Sequence, residues 1–172
     1  MIKTVLLDID ETLIYARGET YARMPSEEFK KVAVKATWQK ESDYVLLRPS
    51  TIPFLKALKD RGYRLGAITQ GVVPWQVEVF KATGIDEFIP VSEIYGWETI
   101  QRTSVRKPNM SEIGKWVVVD NHPMKGMLSR QKADWMGAYF DSSNYIVCPE
   151  WWGGEDDQPL TDLLPSIDKL LA

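Results

Sequence analysis

The chain has one cysteine and one histidine in 172 residues. With Cys148 alone no intrachain disulfide can form, and Cys148 and His122 are too few to offer a zinc cluster. Long apolar runs are also missing: nothing approaches the roughly 20 residues that span a bilayer, and no charged-then-apolar leader opens the chain. There is no basic excess either. With 21 Lys and Arg against 24 Asp and Glu, the net charge is −3, which gives no general attraction to nucleic acid or anionic membranes. Repeats and low-complexity tracts are absent. These absences predict a soluble, cytoplasmic protein with neither nucleic acid nor membrane as a partner, and they leave the oligomeric state open.

What is present suffices for one core. A hydrophobic content of 44% over 172 residues supports a single domain, 1–172, and not comfortably two. Seven tryptophans are the one compositional oddity, because aromatics serve cores and binding surfaces alike. Val5-Leu6-Leu7 and Trp116-Val117-Val118-Val119 are unbroken apolar runs, as parallel strands covered on both faces require. Further strands are expected at 63–69, 87–91, 137–140 and 145–147. Helices are expected from an N-cap at Ser50 to Gly62, at 74–83 before Gly84, at 123–135 and at 161–171, with 92–109 irregular. Alternating strands and helices predict an α/β fold with a Rossmann-like parallel sheet. The stretch 15–47 interrupts this rhythm and reads as an inserted β-hairpin flap, with strands at 32–38 and 44–47.

Both long apolar runs end in acids, at Asp8-Ile9-Asp10 and at Asp120-Asn121. Ligands of open α/β sheets bind beyond the carboxyl ends of the strands, so these residues stand where chemistry would be placed. Thr69 and Gln70 close another strand, and Lys107 lies in the loop before the run at 116–119. The candidate site is therefore Asp8, Asp10, Thr69, Gln70, Lys107, Asp120 and Asn121. Arg48 reads as an ion pair anchoring the flap rather than as a phosphate contact, and His122 as structural. Trp75 suits either the mouth of the site or the packing of its helix, and Trp151-Trp152 either a surface contact or a loop anchor.

Asp8-x-Asp10-x-Thr12, the apolar strand closing on Thr69, Lys107 and Val117-Val118-Val119-Asp120 resemble, in order and spacing, the four motifs of the haloacid dehalogenase superfamily. Three further segments narrow the resemblance: Tyr44-Val45-Leu46-Leu47-Arg48-Pro49 followed by Phe54-Leu55, Val118-Val119-Asp120-Asn121-His122-Pro123, and Leu160-Thr161-Asp162-Leu163-Leu164-Pro165. They are similar to segments of the small phosphatases of the RNA polymerase II C-terminal domain, with His122 in place of the usual serine. The resemblance implies a haloacid dehalogenase-type sheet with a small flap and no large cap. It also implies a phosphatase.

The residue types agree with that chemistry. A carboxylate attacking a phosphate ester must overcome repulsion between anions, which calls for a divalent cation, and hard oxygen ligands suit Mg²⁺. Asp8, the carbonyl of Asp10, and Asp120 or Asn121 would hold it. Asp8 would be the nucleophile that forms an aspartyl-phosphate, and Asp10 the proton shuttle. Thr69, Gln70 and Lys107 would bind the phosphoryl oxygens. A halide leaving group needs no proton, so Asp10 disfavours dehalogenation. The expected substrate is phosphorylated, a phosphoprotein or phosphopeptide in preference to a nucleotide or sugar phosphate. The rival class is a non-catalytic module that recognises phosphate.

Overall fold

Runs of branched aliphatic residues build the centre of the molecule. A computed structural model describes residues 1–17, 33–35, 44–69, 73–96, 113–122, 142–154 and 157–172. In chain order the elements are β1 (Lys3–Asp8), β2 (Ile14–Arg17), β3 (Ala33–Lys35), β4 (Tyr44–Leu47), α1 (Thr51–Asp60), β5 (Arg64–Thr69), α2 (Val73–Thr83), β6 (Ile94–Gly96), β7 (Lys115–Asp120), β8 (Tyr145–Val147) and α3 (Leu164–Leu171). Short 3₁₀ turns stand at Ile85–Glu87, Val91–Glu93, Ser142–Asn144 and Leu160–Leu163. No helix among the described residues is long and apolar enough to cross a membrane.

Among the described residues, five strands form one parallel sheet in the order β6-β5-β1-β7-β8. The first strand in sequence is central in space, and the chain crosses over to either side of it. Alternate residues of a strand face opposite ways: Val5 and Leu7 join the large core with Ala67, Val117 and Val119, while Leu6 joins a second cluster with Ile68, Tyr95 and Val118. Both faces of the sheet are thus buried, which explains why these strands read as continuous apolar runs. Register then aligns the strand ends. Asp8 pairs with Ile68, and Leu7 with Val119, so Thr69 and Asp120 arrive at the edge that carries Asp8.

The expected α/β sheet is present, with five corrections. The flap is three-stranded, in the order β2-β4-β3, because Ile14–Arg17 also pairs antiparallel with Tyr44–Leu47; no turn residue separates it in sequence from the acid-bearing stretch. The strand expected at 87–91 is replaced by 3₁₀ turns on either side of Pro90, which has no N–H for a ladder. The edge strand comes later, as β6 inside the stretch expected to be irregular. Ser50 occupies the N-cap position of α1, yet it makes no side-chain cap. Its hydroxyl accepts from Leu160 N at 3.1 Å and its N–H donates to Asp157 at 2.7 Å. Finally, the last helix begins with a 3₁₀ turn at Leu160–Leu163, and its α-helical part starts at Leu164, with Pro165 in the first turn where a missing N–H costs nothing. The expected helix at 123–135, the strand at 137–140 and the flap tip at 39–43 lie outside the described residues.

Candidate active site

At the end of β1 the chain turns sharply so that Asp8, Asp10 and Thr12 stay close together. Leu13 and Ile14 N–H groups both donate to the carbonyl of Ile9, at 2.9 and 3.2 Å. The turn places Glu11 at φ 64, a left-handed conformation that costs a non-glycine residue about 1–2 kcal/mol. Contacts from distant segments hold it there. The carbonyl of Glu11 accepts from Trp151 N at 2.8 Å, and that of Thr12 from Arg48 Nη1 at 3.1 Å. Trp151 is therefore a loop anchor, packed against Tyr15 and Leu46, while Trp152 is exposed and meets the Tyr15 ring edge-on at 6.0 Å.

Arg48 is fully buried. Besides Thr12, its guanidinium donates to Asp157 Oδ1 at 2.6 Å and to the carbonyls of Pro149 and Gln158 at 2.9 and 2.7 Å. That makes it the anchor that the sequence suggested, with four of its five N–H groups committed to Thr12, Pro149, Asp157 and Gln158. Trp75 is half-buried and packs against the main core.

The carboxylates sit in a place that disfavours their charge. Burial raises the Asp8 carboxyl well above its ordinary value, and the charges of Asp120 and Asp10 push it further. Thr12 Oγ1, donating to Asp8 Oδ2 at 2.9 Å, opposes the shift. Asp10 is raised to about 6, chiefly by burial. Asp120 is also raised by burial, although it accepts from His122 N at 2.7 Å. Cys148, whose thiol touches Thr12 Oγ1 at 3.7 Å, is pushed up to about 11 by burial and stays an inert thiol.

Asn121 is buried beside them, and it is fixed at both ends of its amide. Oδ1 accepts from His122 Nδ1 at 2.9 Å and lies 3.4 Å from Thr12 Oγ1, while Nδ2 donates to Glu11 Oε2 at 3.2 Å. Its oxygen and Asp8 Oδ2 thus share the hydroxyl of Thr12 as a neighbour. This donor chemistry fits Mg²⁺: hard oxygens only, around a partly buried carboxyl whose raised affinity for a proton is what a cation relieves. Among the described residues no three His, Cys, Asp or Glu side chains gather as a metal cluster. An oxygen set of one carboxylate, one carbonyl and one amide does not need such a group.

Thr69 lies buried at the end of β5. Gln70 and Lys107 lie outside the described residues. One residue that sequence reasoning missed stands between Thr69 and Asp10: Gln76, buried on α2, whose Nε2 donates to Asp10 Oδ2 at 2.9 Å and approaches Thr69 Oγ1 at 3.5 Å. Its Oε1 is buried with no hydrogen-bond partner among the described residues, an arrangement that typically costs about 1–3 kcal/mol. A signal was available. Gln76, Val79 and Phe80 are the buried residues of α2, so a polar residue occupies an i, i+3, i+4 core stripe.

A family model for NLI interacting factor-like phosphatases matches residues 3–172. Among curated proteins, a probable C-terminal domain small phosphatase of Dictyostelium discoideum is 22% identical over 179 residues, covering 99% of this chain and 51% of its own length. Two structures of the RNA polymerase II CTD phosphatase Fcp1 are similar in fold. The fission yeast protein bound to beryllium fluoride superposes with TM-score 0.50 at 15% identity, over 98% of this chain and 50% of that one. The second has TM-score 0.52 at 18% identity, over 98% and 48%. An uncharacterized protein from Listeria monocytogenes serotype 4b reaches TM-score 0.56 at 16% identity, over 98% and 99%. At these identities the structural likenesses show the fold. The chain spans about half the length of the curated relative and of Fcp1.

Proposed function

Since the chain belongs to the NLI interacting factor-like phosphatase family, we propose that it hydrolyses phosphate monoesters through an aspartyl-phosphate on Asp8. The observation that carries this reading is the pairing of two partly buried carboxyls, Asp8 and Asp10, both raised in pKa by desolvation, on one tight turn at the carboxyl end of the central strand. Asp8 Oδ2 is held by Thr12, so the carboxyl is presented in one orientation. An Asp8 oxygen attacks phosphorus as the bond from phosphorus to the ester oxygen breaks, and Asp10 gives its proton to that departing oxygen. A water then attacks the phosphorus of the aspartyl-phosphate, its proton passes to Asp10, and Asp8 and inorganic phosphate are released. Asp10, raised to about 6 by burial, exchanges a proton near neutral pH, as a general acid and base should.

Mg²⁺, when bound, would offset the repulsion between the carboxylate and the phosphate. Asp8, the Asp10 carbonyl and Asn121 would hold it, with Asp120 beside them keeping its own loop closed through His122 N. Thr69, Gln70 and Lys107 are assigned to the phosphoryl oxygens. The substrate class we favour is a phosphoprotein or phosphopeptide. The relatives named above as C-terminal-domain phosphatases support this, as does an insertion of only about 15–47, too short for a cap that closes over a metabolite.

The test is release of p-nitrophenol from p-nitrophenyl phosphate with and without Mg²⁺. Turnover that needs the cation and disappears in Asp8→Asn is expected; full activity in Asp8→Asn overturns the mechanism. Comparing kcat/KM for phosphopeptides, nucleotides and sugar phosphates then decides the substrate. A tenfold preference for either metabolite class would reject the protein-substrate assignment.

A further inference from the structure

Gln76 is the one polar side chain among the buried residues of α2, and the proposed reaction gives it no part. Its Nε2 lies 2.9 Å from Asp10 Oδ2 and 3.5 Å from Thr69 Oγ1. Its Oε1 is buried without a partner among the described residues. Stability alone would not select this residue, because a leucine of similar size would remove the orphaned oxygen and fill the same space. Reversing the amide would pair that oxygen only while Asp10 is protonated, and would fail it in the ionised state that the second half-reaction needs. An ionised carboxylate only accepts, so Oε1 turned toward Asp10 would meet another acceptor. The amide nitrogen faces Asp10 because its chemistry requires that, and the orphaned oxygen is the consequence.

The two N–H groups of one amide diverge from a single nitrogen in a fixed plane. Directed at Asp10 and at Thr69, they tie the proton-carrying carboxyl and the hydroxyl at the end of β5 to the same rigid group. Oδ2 of Asp10 is taken up by that bond, so Oδ1 is the oxygen that exchanges the proton with the ester. We propose that Gln76 is a positioning residue: it fixes the Asp10 carboxyl relative to the phosphoryl group so that Oδ1 meets the leaving oxygen. A carboxyl free to rotate would spend time out of reach, and small misplacements of a reacting group cost large factors in rate. The inference rests on the hydrolase reading above, with Asp10 as the acid.

A series of phenyl phosphates from p-nitro to p-methoxy tests it, because a good leaving group departs without a proton and a poor one does not. In this two-step scheme kcat/KM reports the step in which the ester oxygen leaves. Gln76→Leu removes the amide, and Gln76→Asn draws it back by one methylene. Both are expected to lose about tenfold more kcat/KM on the p-methoxy ester than on the p-nitro ester, a factor well inside the 10²–10⁴ that acid–base catalysis contributes. Thermal melts, run alongside, should show both variants folded, since in Gln76→Leu the removed orphan offsets the lost hydrogen bond. An equal loss on both esters, or no loss, overturns the positioning role. So does the failure of both variants to fold, which would make Gln76 structural. If the unmodified protein turns over none of the esters, the hydrolase reading falls and this inference falls with it.

Discussion

Asp8, Asp10 and Asp120 hold their protons more tightly in the fold than they would in an unfolded chain, and that difference links stability to pH. A group whose folded pKa is raised contributes stability below its unfolded value, near 3.8, and loses it as pH climbs through the folded value. For Asp10 that value is about 6. Asp168, lowered by the Tyr63 hydroxyl first and then by Arg61, works in the opposite sense, but only at acid pH. Metal-free protein should therefore melt at progressively lower temperature as pH rises from 5 to 8. Saturating Mg²⁺ should flatten that slope and raise Tm at pH 8, because a ligand bound only by the folded state stabilises it. Asn121→Ala should weaken the Mg²⁺-induced rise. A Tm that climbs with pH in metal-free protein, or that ignores Mg²⁺, would reject the anionic, cation-seeking site. The acids themselves were legible in the sequence, since both apolar runs terminate in them. Their mutual repulsion was not, because Asp120 lies 112 positions from Asp8 and reaches it only through strand register.

The elements depend on a few tight points where chain meets chain. Gly114, at φ 69, leads into β7, and a Cβ placed there would lie 2.2 Å from the carbonyl oxygen of Ile2. That carbonyl accepts from Lys115 N at 2.9 Å, and Thr4 Oγ1 donates to the Ile113 carbonyl at 2.6 Å, so the starts of β1 and β7 are fastened together. Gly114→Ala combines backbone strain with a collision against main-chain atoms that cannot yield. It should destabilise by at least about 2 kcal/mol, lowering Tm by roughly 2–4 °C per kcal/mol. A melt unchanged from the parent would show that the two strands can separate at that end without cost. Strands β1 and β7 were readable because burial on both faces leaves only apolar residues. β6 was not: its three residues, Ile94–Gly96, are too few to show a period, and its place is set by pairing with Ala67–Thr69. The three-stranded flap was half legible, since β2 continues directly from the acid turn.

At the scale of the whole molecule, Arg48 connects the flap, the acid turn and the carboxyl-terminal segment. Four of its five N–H groups reach Thr12, Pro149, Asp157 and Gln158, and Asp157 in turn accepts from Ser50 N. The pair is removed from water, with side-chain exposures of 0% and 9%. Breaking a buried pair by removing one partner typically costs about 3–5 kcal/mol, because the other charge is left without compensation. Arg48→Met should lose stability of that order in urea melts and, by releasing the Thr12 carbonyl, should lower kcat as well. Arg48→Lys should rescue little, since one ammonium cannot replace a planar fork that meets four acceptors. Near-native stability in Arg48→Met would show that the flap and the acid turn hold without this bridge.

The sequence by itself determined the class of the fold, the central strand and the acids it delivers, because burial on both faces and a strand-end turn leave local signatures that need no partner to be recognised. Only the tertiary structure decided what surrounds those acids. Arg48 bridges about 109 positions to Asp157, Gln76 bridges 66 to Asp10, and Asn121 bridges 109 to Thr12. Contacts of that separation leave no periodic trace in the chain; they exist because parallel strands, brought into register around β1, carry distant residues to one edge of the sheet.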